Sequence, residues 1–183
     1  EIAYTTDGNR AFTRLVPLVP MEKDEALREL MQRYVAHYGP VTLRDAQTFF
    51  GMPQRELKAL LEQSAEESVS IGKDAYFYMP NELPEGAEVP QVLFLAGFDQ
   101  LLLGYRKTDN PFLPTEHIKR VYNNTGIVFP TVLLHGRVSA VWKRAGKSLE
   151  IRPFGKITEK DKKQIERKAV DNFGGAGVQW INN

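Results

Sequence analysis

Amides and cations, rather than nucleophiles, are the side chains of this 183-residue sequence that could do chemistry. There is no cysteine, which excludes thiolate catalysis, disulfides and Cys-based zinc sites together. The three histidines, His37, His117 and His135, are scattered, and none stands in an HExxH or other metal-ligand spacing. No GxGxxG or GxxxxGKS/T phosphate loop occurs, and no Gly-x-Ser-x-Gly elbow. His135 falls in an expected turn, the place of a surface residue more than of a base. Asp99 lacks a partner acid. The residues assign no catalytic group, no metal and no cofactor.

What they do assign is polyanion chemistry. Gln54, Arg55 and Lys58 take the outward N-terminal positions of an expected helix; Gln can read adenine, Arg guanine or phosphate, and Lys phosphate. Lys73 stands at the tip of an expected hairpin, with Tyr76 and Tyr78 on one face of its second strand. Such a hairpin can enter a minor groove, although strand tyrosines also pack against neighbouring structure. Arg106 and Lys107 end the segment FDQLLLGYR-K, where they can meet phosphate. Lys119 and Arg120 lie on an expected helix, and Arg137, Lys143 and Arg144 flank a strand containing Trp142. With Lys147, Arg152 and Lys156 these are expected to form a continuous basic surface. The lysines and arginines from Lys160 to Lys168 read as a largely solvated helix face.

The net charge of +1 conceals an asymmetry. Residues 1–118 hold 11 Lys+Arg against 18 Asp+Glu, a net of −7; residues 119–183 hold 13 against 5, a net of +8. A basic half suggests a nucleic-acid-facing surface, with a merely solvated charged surface as the alternative. With 42% hydrophobic and 26% charged residues the composition is that of an ordinary globular protein. No apolar run approaches the roughly 18 residues of a membrane span, and Glu1–Arg10 has no signal-peptide core. We therefore expect a cytoplasmic protein with no membrane partner. The first residue is Glu, the pattern of a piece of a longer chain.

These side chains need elements to hold them. Ile2–Thr5 and Ala11–Leu15 are expected to form a hairpin through Asp7-Gly8-Asn9, ended by Pro17 and Pro20. Leu27, Leu30, Met31, Tyr34, Val35 and Tyr38 recur at helical spacing, up to a stop at Gly39-Pro40. Thr42 caps a second helix with Asp45 in the capping-box position and Ala46, Phe49 and Phe50 facing inward. Gly51 breaks it, and Pro53 opens a third helix that buries Leu57, Leu60 and Leu61 and ends near Glu66. Val69–Ile71 and Tyr76–Met79 then form a hairpin about Gly72-Lys73-Asp74. Three helices with a tight second turn and a hairpin predict a winged helix-turn-helix. Its residues 21–80 carry 7 Lys+Arg against 10 Asp+Glu, so a structural or protein-binding role competes with groove insertion.

Asn81–Pro90, with Pro84, is an expected connection. Beyond it Val92–Leu95, Leu101–Tyr105, Thr131–Leu134, Arg137–Lys143 and Ser148–Pro153 are expected strands, with a helix over Thr115–Tyr122 and a turn at His135-Gly136. Thr158 caps a final helix through about Asn172, Gly174-Gly175 ends it, and Val178–Ile181 is a last strand. The expected fold is α+β: a hairpin and linker over 1–20, a winged helix-turn-helix over 21–82, and a β-rich domain with a terminal helix over 83–183.

Two segments carry a resemblance. Phe98-Asp99 with Leu102–Arg106, and Pro130–Val132 with Gly136-Arg137-Val138 and Trp142, are similar to the C-terminal signature of the AlkZ-like winged-helix DNA glycosylases, over roughly residues 2–173. Ala140 stands where a second glycine is frequent. The resemblance implies a C-terminal part of a longer protein, double-stranded DNA as partner and N-terminal domains of the same full-length chain as neighbours. It implies a monofunctional glycosylase of alkylated or crosslinked bases, whose water-positioning Gln-x-Gln or Gln-x-Asp motif lies near the N-terminus. No glutamine here stands two residues before another glutamine or an aspartate, so no catalytic residue carries over. The reading is a DNA-holding monomer, inert alone. The alternatives are a dimeric winged-helix transcription regulator and a protein-interaction module.

Overall fold

The computed structural model describes residues 2–4, 7, 10–12, 19–80 and 88–181. Thr5, most of the Ala11–Leu15 run, Pro17, and residues 81–87 of the expected connection lie outside the described residues. Strands β1 (Ile2–Tyr4) and β2 (Arg10–Phe12) pair antiparallel, Ile2 opposite Phe12.

Helix α1 (Lys23–Tyr38) buries Met31, Tyr34 and Val35. Leu30, expected inward, is 54% exposed; at about 100° per residue it sits roughly 90° from the centre of the Met31, Tyr34 and Val35 stripe that packs. Helix α2 (Leu43–Phe50) opens on the expected capping box. The Asp45 amide donates to Thr42 Oγ1 at 3.2 Å and the Thr42 amide to Asp45 Oδ2 at 2.9 Å. Gly51 ends it with φ +64°, a conformation that costs a glycine nothing. Ala46 is buried, but Phe49 is 43% exposed with one ring face on Tyr34, centroids 4.5 Å apart.

Helix α3 (Gln54–Ser64) buries Leu57 and Leu61 and ends two residues before Glu66. Strands β3 (Glu67–Ile71) and β4 (Asp74–Tyr78) pair in register from Glu67–Tyr78 to Ile71–Asp74, so the turn is Gly72-Lys73. One bridge from Val41 to Phe77 ties the hairpin to the helices, and the shared core is Met31, Tyr34, Val35, Val41, Ala46, Leu57 and Leu61.

The second core belongs to a five-stranded sheet of order β5 (Val92–Leu95), β6 (Thr131–Leu134), β7 (Arg137–Ala145), β8 (Ser148–Pro153) and β9 (Gly177–Trp180). All pairs are antiparallel except β8–β9, which is parallel, so its connection has to cross over. Helix α6 (Glu159–Asn172) makes that crossover. It lays Ile165 and Ala169 on Val92, Val132, Leu134, Ala140, Leu149 and Ile151. The opposite face of β5 and β6 is covered by the 96–130 segment through Leu102, Leu113, Val121 and Val128.

Two expectations are corrected in that segment. Leu101–Tyr105 is not a strand: Gln100–Leu103 forms a one-turn helix, α4, on which Asp99 Oδ1 accepts the Leu101 amide at 2.9 Å. Three consecutive leucines have no strand alternation, and a capping Asp before them with Gly104 after them frames a helical turn. The helix over 115–122 is split into a 3-10 turn at Thr115–His117 and a short α5 (Ile118–Val121). The architecture is mixed α+β. Among the described residues no helix is long and apolar enough to cross a membrane.

Candidate nucleic-acid interface

Three regions hold the sequence-predicted residues. The first is a groove of about 350 Å³ where α3 meets the β3–β4 hairpin. Gln54, Lys58 and Lys73 line it together with Arg44, Glu62 and Asp74. Gln54 is not free: its Nε2 donates to Gln47 Oε1 at 2.8 Å. Arg44 lies 3.8 Å from Asp74, so the groove is charge-mixed. Arg55 stands outside it, exposed, 3.7 Å from Glu56. Tyr76 is also outside, because Ala75 and Phe77 line the groove and alternate residues take the other face. Tyr78, beside Tyr76 on that face, donates to Glu67 Oε2 at 2.6 Å, and this bond raises its phenol pKa.

The second region is the seam between the helical unit and the sheet, and it is built from FDQLLLGYR. Tyr34 donates its hydroxyl to the Gly104 carbonyl at 2.8 Å, and Tyr105 donates to the Tyr38 carbonyl at 2.6 Å. Tyr38 donates to Gln100 Oε1 at 2.8 Å. Asp45, already the capping residue of α2, accepts the Arg106 amide on its second oxygen at 2.8 Å. One buried carboxylate thus holds a helix start and a chain from the other core. Burial, with Asp45 nearby, raises the phenol of Tyr34 and pushes Tyr105 up to about 12. The Arg106 side chain points outward and pairs with Asp109 at 3.0 Å.

The third region is the sheet, and strand alternation divides the expected continuous basic surface. Ala140 and Trp142 of β7 face α6, so Val141 and Lys143 face away from it. Arg144 returns to the α6 side, where its Nε donates to the Gly146 carbonyl at 3.3 Å. In the ladder Val141 stands opposite Arg152 and Lys143 opposite Glu150, with Lys143 Nζ 2.8 Å from Glu150 Oε2. These four line a groove of about 250 Å³ with Arg120, Phe129 and Ile181. The groove exists because the 96–130 segment packs on β5, β6 and the start of β7 but reaches β8 only at its last residue, through Arg120, leaving a step over the rest of β8.

Arg120 is fixed at that step: its guanidinium donates to the carbonyls of Phe154 and Pro153 at 3.1 and 3.2 Å and lies over the Phe154 ring. Lys119 is exposed on α5. Arg137 is elsewhere, in a polar pocket with Asp109 and Glu116.

His135 takes the turn between β6 and β7 at φ +49°. Its Nδ1 is 2.6 Å from Gln91 Oε1 and its Nε2 3.0 Å from Asp161 Oδ1. Bonds from Thr158 and from His135 hold the Asp161 carboxyl below the usual carboxylate range. This arrangement ties a turn to a helix start. Among the described residues no three His, Asp or Glu side chains are placed to hold a metal.

Sequence reasoning brought Lys143, Arg120 and Arg152 to attention but not Phe129. Ile127 and Phe129 flank Val128, which is buried, and both project outward; the sequence alone, apolar at all three positions, does not say which of them is buried. The second role of Asp45 had no local signal, because its partner is 61 residues away.

Residues 6–173 match the model of a family described as DNA glycosylase AlkZ-like. A relative in Streptomyces sahachiroi, described as an interstrand DNA cross-link repair glycosylase, is 27% identical over 168 residues, covering 87% of this chain and 45% of that protein. The solved structure of Streptomyces sahachiroi DNA glycosylase AlkZ superposes with a TM-score of 0.68 at 24% identity, over 88% of this chain and 47% of that one. The chain spans about half the length of the relatives it matches.

Proposed function

The chain belongs to the AlkZ-like DNA glycosylase family, and from that premise we propose that it is the DNA-holding part of a glycosylase whose base-excision chemistry resides elsewhere in a longer protein. The observation that supports this most is the basic groove on the uncovered sheet face, where Arg120, Lys143 and Arg152 stand around one step. Phosphates neutralised there release counterions. Lys119 beside the step, the outward Arg106, and Arg137 and Arg144 on separate faces would each add a contact only if the duplex wraps around the sheet.

The helices and hairpin of residues 21–82 act as a winged helix-turn-helix packed on the β-rich unit of residues 83–183. Gln54, Lys58 and Lys73 approach a DNA groove from one side, with Arg55 at its margin; Tyr76 packs against a neighbouring domain or the DNA. The protein works as a cytoplasmic monomer with its own N-terminal domains as neighbours. The intact protein, in this reading, is a monofunctional glycosylase of alkylated or crosslinked bases; the Streptomyces sahachiroi relative is described as an interstrand DNA cross-link repair glycosylase, which supports the crosslinked substrate.

The test is fluorescence-anisotropy binding to a short undamaged duplex. Three phosphate contacts make affinity fall roughly forty-fold between about 50 and 200 mM salt. Binding that ignores salt, or none at low salt, sinks the phosphate-grip reading. Release of an alkylated base by this chain alone would sink the division of labour. The net acidity of residues 21–80 favours a second reading, in which the helical unit binds protein while the sheet holds DNA.

A further inference from the structure

Cations alone do not account for the groove on the open sheet face. Phe129 lines it and is 39% exposed. Among the described residues it has no ring partner, whereas Phe94, Phe112, Phe154 and Phe173 all do. The opposite wall is the β7–β8 ladder, with Val141 and Ile181 giving an apolar floor and Lys143 and Arg152 standing along it.

The charges differ in kind. Arg120 is held by two carbonyls and an aromatic face, so its charge is placed before any ligand arrives. Lys143 is positioned by Glu150. Arg152 is exposed and has no ion-pair partner among the described residues, which leaves its guanidinium available to a ligand.

We propose that this groove is a subsite for an unpaired nucleotide: a base stacks on Phe129 over the apolar floor, and its flanking phosphates meet Arg152 and Lys143. The surface therefore takes single-stranded nucleic acid. Intact duplex offers phosphates to the cations but keeps its base faces stacked inside, so it leaves Phe129 unused. A single strand offers both, and stacking on an exposed aromatic beside a basic track is how sequence-tolerant single-strand sites work. An acidic peptide would use the cations and not the ring. The inference rests on the DNA-holding reading for its polyanion, and departs from it in requiring bases.

The experiment compares three fluorescein-labelled probes of equal length, about twelve nucleotides: oligothymidylate, an abasic deoxyribose-phosphate oligomer, and a duplex. This chain should bind oligothymidylate about ten-fold more tightly than the abasic oligomer, the size of one base–aromatic stack. Phe129→Ala and Phe129→Leu should each remove that preference while leaving abasic and duplex affinities unchanged; Phe129→Tyr should keep it. The Leu and Tyr variants retain apolar bulk, so their contrast reads the ring even if truncation to Ala perturbs the fold.

Arg152→Gln should weaken oligothymidylate and abasic binding alike, by about three- to five-fold at low salt. Equal affinity for oligothymidylate and abasic oligomer, or a preference that survives Phe129→Leu, overturns the subsite. If duplex binding is absent while the Phe129-dependent preference persists, the duplex grip fails and the subsite stands. If duplex binding collapses with salt but bases confer no advantage, the subsite fails and the duplex grip stands.

Discussion

Two regions of this chain that share a sequence signature behave in opposite ways. The seam made by FDQLLLGYR turns its polar groups inward: two tyrosine hydroxyls, one carboxylate and one amide are each satisfied by a partner more than 60 residues away. The β7–β8 face beyond the step turns its cations outward, over an apolar floor that nothing among the described residues covers. The first region is specified from both sides and tolerates little. The second is specified only from beneath, through Trp142, Leu149 and Ile151, and of its outward cations Arg152 has no ion-pair partner among the described residues and is left to a ligand. A recognisable motif thus marks where packing constrains the chain, and the residues that meet a ligand lie beside it.

The largest effects should come from the seam. A methyl group at Gly104 would overlap the Tyr38 ring, and the ring cannot retreat without breaking its bond to Gln100 and its contacts with Phe49 and Tyr105. Gly104→Ala should cost about 3 kcal/mol, read as a lowered urea midpoint. A cost below about 0.5 kcal/mol would mean the seam is loose and the contrast with the sheet face is false.

Asp45→Ala comes next. It removes the acceptor for the Arg106 and Thr42 amides together, and unsatisfied buried donors cost about 1–3 kcal/mol each. We expect about 2 kcal/mol and faster amide exchange at Arg106. Asp45→Asn keeps one acceptor oxygen and should recover part of the loss; no recovery would mean the carboxylate acts by charge rather than as an acceptor.

Alkaline titration sharpens the same contrast. Tyr34 and Tyr105 are raised by burial, Tyr105 to about 12. The folded state therefore holds these protons to higher pH than the unfolded chain, whose phenols titrate near 10. The stabilisation is complete below about pH 10 and is lost as pH rises through 10 to 12. Unfolding monitored by tyrosinate absorbance should show this loss. Tyr105→Phe should flatten it, and an unchanged pH dependence would remove Tyr105 from the seam.

The helical unit was legible because its signals are local. The capping box at Thr42 and Asp45, the glycine at 51 and the leucine spacing of α3 all act within a few residues, and each is where periodicity puts it. One pairing of the sheet, β6 with β7, was legible too, since His135-Gly136 announces a turn between apolar runs; the other strands were legible as strands but not in their order. What failed was Leu101–Tyr105, where β-prone composition outweighed the punctuation by Asp99 and Gly104. The grouping of the cations was not legible either. It depends on which face of β7 meets α6, on the bulge that inserts Ser139 between the residues opposite Leu133 and Val132, and on where the covering segment stops.

That dependence sets the smallest and most discriminating test. Lys143 and Arg144 are neighbours in sequence with equal charge, yet alternation puts Lys143 in the groove with Arg152 and sends Arg144 to the α6 side. Neither Arg152→Ala nor Arg144→Ala should change stability by more than about 0.5 kcal/mol, since both are exposed. If the groove grips phosphate, Arg152→Ala lowers the slope of log affinity against log salt by about 0.9 for duplex or about 0.7 for single strands. Arg144→Ala should leave the slope unchanged on a ligand that touches one face. Equal losses from both would mean the nucleic acid wraps both sides of the sheet, and the cations would then act as a diffuse field rather than as one groove.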